Sequence, residues 1–270
     1  MPEESEYSSI AERLVQSLAS VSEPKMRSSV FFKKLCPLSD EGIVEVLNII
    51  FNRANRERGL DADIIEIFLD QSELESNIGG ERLRRLHSTA SDKGYSVVID
   101  LLGGINHLKD REWDIREDRI YDFDERTIGE RKSYASSSDP DMISKLIHDP
   151  EPMVVERLLQ NPRVTEKDVL KIITRRPVNP ELIKVVSNSQ KWNTSYTVRD
   201  AIVRNPYSPA SLALKILPSI MKQDLIEISR DGSLSNLIRN RALLLLKQKS
   251  GNTEDFYIIE ELDDADIKNC

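Results

Sequence analysis

The chain has 270 residues, of which 39% are hydrophobic and 31% charged, with a net charge of −8. That length holds one large domain or two small ones, and ten glycines with 6% aromatics supply too few turn and strand formers for an all-β protein. No apolar run approaches the roughly 20 residues of a membrane span, and the acidic start MPEESEYSSI lacks the basic and apolar regions of a secretory signal, so neither membrane contact nor secretion is expected.

The two cysteines, Cys36 and Cys270, are too far apart for a metal-ligand spacing or a disulfide framework. Cys36, between Leu35 and Pro37, reads as a small buried hydrophobe, and Cys270 as a free thiol on a tail. This usage fits a reducing, cytoplasmic location. The charge is unevenly spread. Residues 141–250 carry 18 basic against 11 acidic side chains, and the remaining 160 residues carry 20 against 35. A basic stretch is thus flanked by an acidic front and an acidic tail.

In chain order, residues 1–22 contain an amphipathic helix with Ile10, Leu14 and Leu18 on one stripe and Ser8 or Ser9 as its cap. A second helix, 24–35, carries Val30, Phe31, Phe32 and Leu35, and Pro37 stops it. The next opens at Ser39-Asp40-Glu41. Its stripe is Ile43, Val46, Leu47, Ile50, Phe51 and Ala54, with Gly59 past its end. Residues 61–70 suit a short helix or a strand; helical neighbours decide for helix. Two more helices cover 81–91 and 95–102. Residues 105–125 are charged, with scattered Trp113, Ile115, Ile120, Tyr121 and Phe123, and read as a surface connector and domain boundary. The expected organisation is a helical module over 1–104, a connector with a lead-in helix over 105–138, helical repeats over 139–250 and an acidic tail over 251–270.

The repeats declare themselves by Asx-Pro punctuation. NPRVTEKDVLKII at 161–173 and NPYSPASLALKIL at 205–217 share five identities at an offset of 44 residues, and Asn179-Pro180 opens ELIKVVS between them. Asn or Asp before Pro supplies a capping side chain and disfavours helix at that point. The restarted helices are short, with narrow apolar faces at 169/172/173, 182/185/186, 198/201/202 and 213/216/217/220. Such faces are buried only by stacking on neighbours. A period near 44 lies in the range of HEAT and armadillo repeats. Leu243, Leu244, Leu245 and Leu246 make a closing helix apolar on every side. The expectation is an all-α protein with an α-solenoid after an N-terminal helical module.

These segments, with NPELIKVV, resemble HEAT-like repeat proteins of the leucine-rich-repeat-variant type found in bacteria. The likeness covers about 140–250. ERKSYASSSDPDMISKLIHDPEPMVVERLLQNPRVTEKDVLKIITRRP is also similar to a bacterial family of helical-repeat proteins that brings no activity with it. Variants linked to nitrogen fixation pair such repeats with a cysteine-ligated iron–sulfur cluster. This chain has no cysteine cluster, so that feature does not carry over.

Catalytic signatures are missing from the sequence. It contains no GxxxxGK[ST], GxGxxG or GxSxG. His87, His107 and His148 stand apart, and the acids of 110–124 are interleaved with Arg111, Arg116 and Arg119. Asp263, Asp264 and Asp266 lack the glycine and glutamate of a calcium loop. No enzyme, cofactor or metal is expected.

One constellation points to binding. Lys167, Lys171 and Arg175 fall at i, i+4 and i+8, followed by Arg176. Lys184, Lys191, Arg199 and Arg204 come from the next helices and turns, with Trp192 and Tyr196 among them. A solvated outer face explains such residues equally well. As a stripe, they suit an acidic segment of a protein partner; the alternative is a nucleic-acid backbone with stacking aromatics, by analogy with HEAT-like DNA-repair glycosylases. The expected function is a non-catalytic interaction scaffold. Residues 254–266, acidic around the apolar island Phe256–Ile259, are a candidate for docking back onto the stripe.

Overall fold

The computed structural model describes residues 4–21, 23–56, 60–102 and 126–249. Among these residues the chain is helical, with no strand, and no helix is long and apolar enough to cross a membrane. Residues 1–107 with 225–270 form one compact unit and residues 108–224 another. The connector, Gly59, His107 and the acidic tail lie outside the described residues.

The first unit contains α1 (Glu4–Gln16), α2 (Pro24–Leu35), α3 (Asp40–Arg56), α4 (Leu60–Phe68), α5 (Gln71–Ile78), α6 (Gly80–Asp92) and α7 (Ser96–Leu102). α3 is its axis. All six residues of the predicted stripe, Ile43, Val46, Leu47, Ile50, Phe51 and Ala54, are fully buried, and burying one such large side chain stabilises by about 1.5–3 kcal/mol. Phe51, Phe68, Phe31 and Phe32 interlock with ring centroids 5.0–5.9 Å apart, which joins α2, α3 and α4 through edge-to-face contacts and one tilted pair, Phe32–Phe68.

α1 starts at Glu4, so Ser8 and Ser9 lie inside it and do not cap it. α5 has no counterpart in the sequence reading. QSELESNI offers only Leu74 and Ile78 as apolar anchors, too few for a periodic signal. The Asp70 side chain nonetheless accepts from the Ser72 and Glu73 amides and starts the helix. Arg82 of α6 donates to the Cys36 and Leu38 carbonyls and to Asp40, closing the α2–α3 turn. Arg85 and Arg82 hold the Asp40 carboxyl below the ordinary carboxylate range. Cys36 is half-buried, its thiol pushed up by that burial.

The last helix, α17, also belongs to this unit. It runs from Asn236 to Lys249 and packs on α3 and α7. The sequence reading carries the repeats to 250. The reason for the difference is the four consecutive leucines Leu243–Leu246, all buried, which need neighbours on more than one side.

The second unit contains α8 (Ile128–Tyr134), α9 (Pro140–Leu146), α10 (Pro152–Leu159), α11 (Glu166–Ile173), α12 (Pro180–Asn188), α13 (Gln190–Asn193), α14 (Tyr196–Val203) and α15 (Ala210–Ile216). A 3₁₀ turn, Leu217–Ser219, follows, and then the start of α16 (Lys222–Arg230). Packing partners lie close along the chain: α10 meets α8 and α12, α11 meets α12 and α14, and α14 meets α15. The buried faces are near those predicted, with Val169, Ile172 and Ile173 on α11 and Leu182, Ile183 and Val186 on α12. Ile183 takes the core place given to Val185, because 183 lies three positions before 186 and so on the same face of the helix, whereas 185 lies about 200° around from 183.

The Asx-Pro signals divide into two kinds. At Asp139-Pro140 and Asn179-Pro180, proline is the first helical residue, and the Asx side chain accepts from the amide two positions on at 3.0 and 2.9 Å. At Asn161-Pro162 and Asn205-Pro206 the dipeptide forms a turn, and the next helix starts a few residues later. These two asparagines are only 5% and 2% exposed. The Asn161 amide donates to the Ala135 and Ser137 carbonyls at 2.9 and 2.7 Å, just past α8. The Asn205 amide donates to the Ile173 and Arg175 carbonyls at 2.5 and 3.3 Å, at the end of α11. Each asparagine thus satisfies the orphan carbonyls of an earlier helix end, which ties non-consecutive helices together.

Candidate functional site

Thr165 caps the start of α11, its amide donating to Asp168 at 3.1 Å, and the helix stops at Ile173 with Thr174 as its C-terminal cap. Lys167 and Lys171 are exposed on it. Arg175 lies past the cap and turns inward, donating to the His148 carbonyl at 3.3 Å. The predicted i, i+4, i+8 stripe is therefore two lysines on a helix and an arginine engaged with backbone.

Most of the other predicted cations have partners. Lys171 is 3.4 Å from Asp168, and Lys184 is 2.8 Å from Glu181. The Arg204 Nε sits 2.9 Å from both Asp200 oxygens, and its Nη2 donates to Asp224 at 2.8 Å. Asp224 also accepts from the Tyr196 hydroxyl, which in turn accepts from the Met221 amide at 3.1 Å. Burial and the Asp224 carboxylate raise the Tyr196 phenol above its usual range. Arg199 is half-buried, and its Nε is enclosed without a hydrogen-bond partner among the described residues.

Trp192 is 6% exposed, and its indole N–H donates to the Leu159 carbonyl at 3.0 Å. It caps the end of α10 and offers no open face to a base. Lys191 folds back over its ring, with Nζ 4.1 Å from the centroid. Both aromatics of the predicted stripe therefore serve the packing of the unit, a use that composition and spacing do not distinguish from stacking.

Two of the predicted residues do converge. A groove of about 380 Å³ runs between α11 and α14, lined by Leu170, Thr174, Arg176, Thr197, Asp200, Ala201, Arg204 and Asn205. The exposed Arg176 anchors one Nη2 on the Arg204 carbonyl at 3.0 Å. Asp200 pairs with Arg204, which also holds Asp224, and Arg176 supplies a second cation at the rim. The Asp200–Arg204 pair is legible in the sequence as an i, i+4 pair. The parts played by Leu170, Thr174 and Thr197 are not, because they follow from how α11 and α14 lie side by side. Among the described residues no three His, Cys, Asp or Glu side chains gather as metal ligands. Compared with family models, with curated proteins and with solved structures, the chain matches none.

Proposed function

We propose that the chain is a non-catalytic adaptor, with residues 126–224 forming a HEAT-like helical repeat array whose α11–α14 groove receives an acidic segment of a protein partner. The observation that carries this reading is the groove itself: apolar walls from Leu170 and Ala201 beside an exposed arginine whose donors are only partly used. A carboxylate next to an apolar side chain has the complementary chemistry. The packing of helices on near neighbours in the chain supports the repeat reading. The pairing of Lys171, Lys184 and Arg204 with carboxylates weakens the alternative of a phosphate-tracking stripe, which needs cations in excess.

The test uses the full chain as bait in its native lysate, alongside Arg176→Glu and Lys145→Glu, the latter an equal charge change on α9. A partner retained by wild type and Lys145→Glu but lost with Arg176→Glu supports the proposal. Salt-dependent retention of the wild type on nonspecific duplex DNA, with no such partner, would transfer the function to nucleic-acid binding.

A further inference from the structure

Three Asx-Pro turns leave helix ends in the second unit: Asp149-Pro150 after α9, Asn161-Pro162 after α10 and Asn205-Pro206 after α14. All three share one element. The Oδ1 accepts from the amide two residues on, at 2.9 Å from Glu151, 3.0 Å from Arg163 and 2.9 Å from Tyr207. They differ in the other side-chain atom. Asn161 and Asn205 place there an amide N–H that donates to helix-end carbonyls. Asp149 places an oxygen there, Oδ2, which is buried and without a hydrogen-bond partner among the described residues; the whole residue is 0% exposed.

A buried ionised oxygen without a donor is the most costly state for that atom, whereas a neutral carboxylic acid leaves no charge to bury there. We propose that Asp149 is a proton-operated joint of the second unit, neutral in the closed form and loosened when it ionises. The charged and titratable groups around it come from every neighbouring element. Arg131 of α8 reaches Oδ1 with Nη1 at 3.5 Å. Glu151 stands at the entry to α10. Arg175, beyond α11, donates to the carbonyl of His148, the residue before Asp149. Burial raises the Asp149 carboxyl; the Glu151 amide, Arg131 and Arg175 oppose this without overcoming it, and the Glu151 carboxylate adds to it. Because the folded-state value lies above the unfolded one, the joint's contribution is complete below the unfolded value, about 3.9, and is lost as pH rises through the folded value. Arg175, which donates to His148, stands directly before Arg176 of the α11–α14 groove, so the joint and the groove are linked through adjacent residues of the chain.

The experiment follows the Asp149 carboxyl carbon by NMR in the full-length wild type from pH 3.5 to 8, and compares urea midpoints of wild type and Asp149→Asn. The expected result is a titration above the ordinary aspartate value. Asp149→Asn has a midpoint at pH 8 equal to or above wild type, with the gap closing towards pH 4. A titration at or below the ordinary value overturns the proposal. So does a lowered midpoint for Asp149→Asn at pH 8, which would make the Arg131 ion pair the holding force. Arg131→Met is the second variant, expected to raise the Asp149 titration further; no change there also counts against the joint.

Discussion

Asn179 and Asn205 are both asparagines before proline, and the structure assigns them unequal energies. Asn205→Ala removes two bonds to the Ile173 and Arg175 carbonyls and one from the Tyr207 amide. At about 1 kcal/mol net per bond, with more for groups left buried and unpaired, the loss is about 3–5 kcal/mol. Asn179→Ala removes one capping bond, to the Glu181 amide, at a half-buried site, for about 1 kcal/mol. Because the substitution and the following proline are the same, effects on the unfolded chain largely cancel in the comparison. The assay is urea unfolding at pH 7 read by Trp192 fluorescence in a Trp113→Phe background, which reports the second unit. At a slope of roughly 1.5 kcal/mol per molar urea, Asn205→Ala lowers the midpoint by about 2–3 M and Asn179→Ala by under about 1 M. Equal shifts would refute the division of the Asx-Pro signals into buried locks and surface caps.

Asp100, on α7 in the first unit, has its carboxyl raised to about 6 by burial. Its folded-state value exceeds the unfolded one, so its stabilising contribution is present below about pH 4 and lost by about pH 6. The penalty above that is at most about 3 kcal/mol. Asp100→Asn is expected to exceed wild type in urea midpoint at pH 7 and to match it near pH 4; no advantage at pH 7 would contradict the assignment. Trp192→Phe leaves the Leu159 carbonyl without its indole donor and costs about 2 kcal/mol by circular dichroism melts. A neutral result would mean that the α10 terminus is satisfied in some other way.

Much of the helical content was legible because it rests on short-range chemistry. The α3 stripe from Ile43 to Ala54 repeats at helical spacing and is wholly buried. Proline after Asp139 and Asn179 starts helices by local geometry alone. α5 escaped because two apolar residues in eight make no period, and its cap works through one aspartate. The candidate site was legible only in its charges. Ten residues stood out as basic or aromatic, yet Trp192 caps α10, Arg204 holds Asp200 and Asp224, and Arg175 reaches backbone. Of the ten, Arg176 and Arg204 meet in the groove.

Sequence by itself determined the stripe of α3 and the helix starts at Pro140 and Pro180, since caps, prolines and periodicity act within a few residues. It also determined that the Asx-Pro turns repeat. Only the tertiary structure decided what those turns do. Whether an Asn or Asp side chain faces solvent or the carbonyls of a helix end 26 or 32 residues earlier depends on which helices lie side by side. That choice is made by many weak apolar contacts summed over the unit, and no single residue in the string carries it. The same packing sends Leu243–Leu246 to the first unit and leaves Asp149 with a buried oxygen.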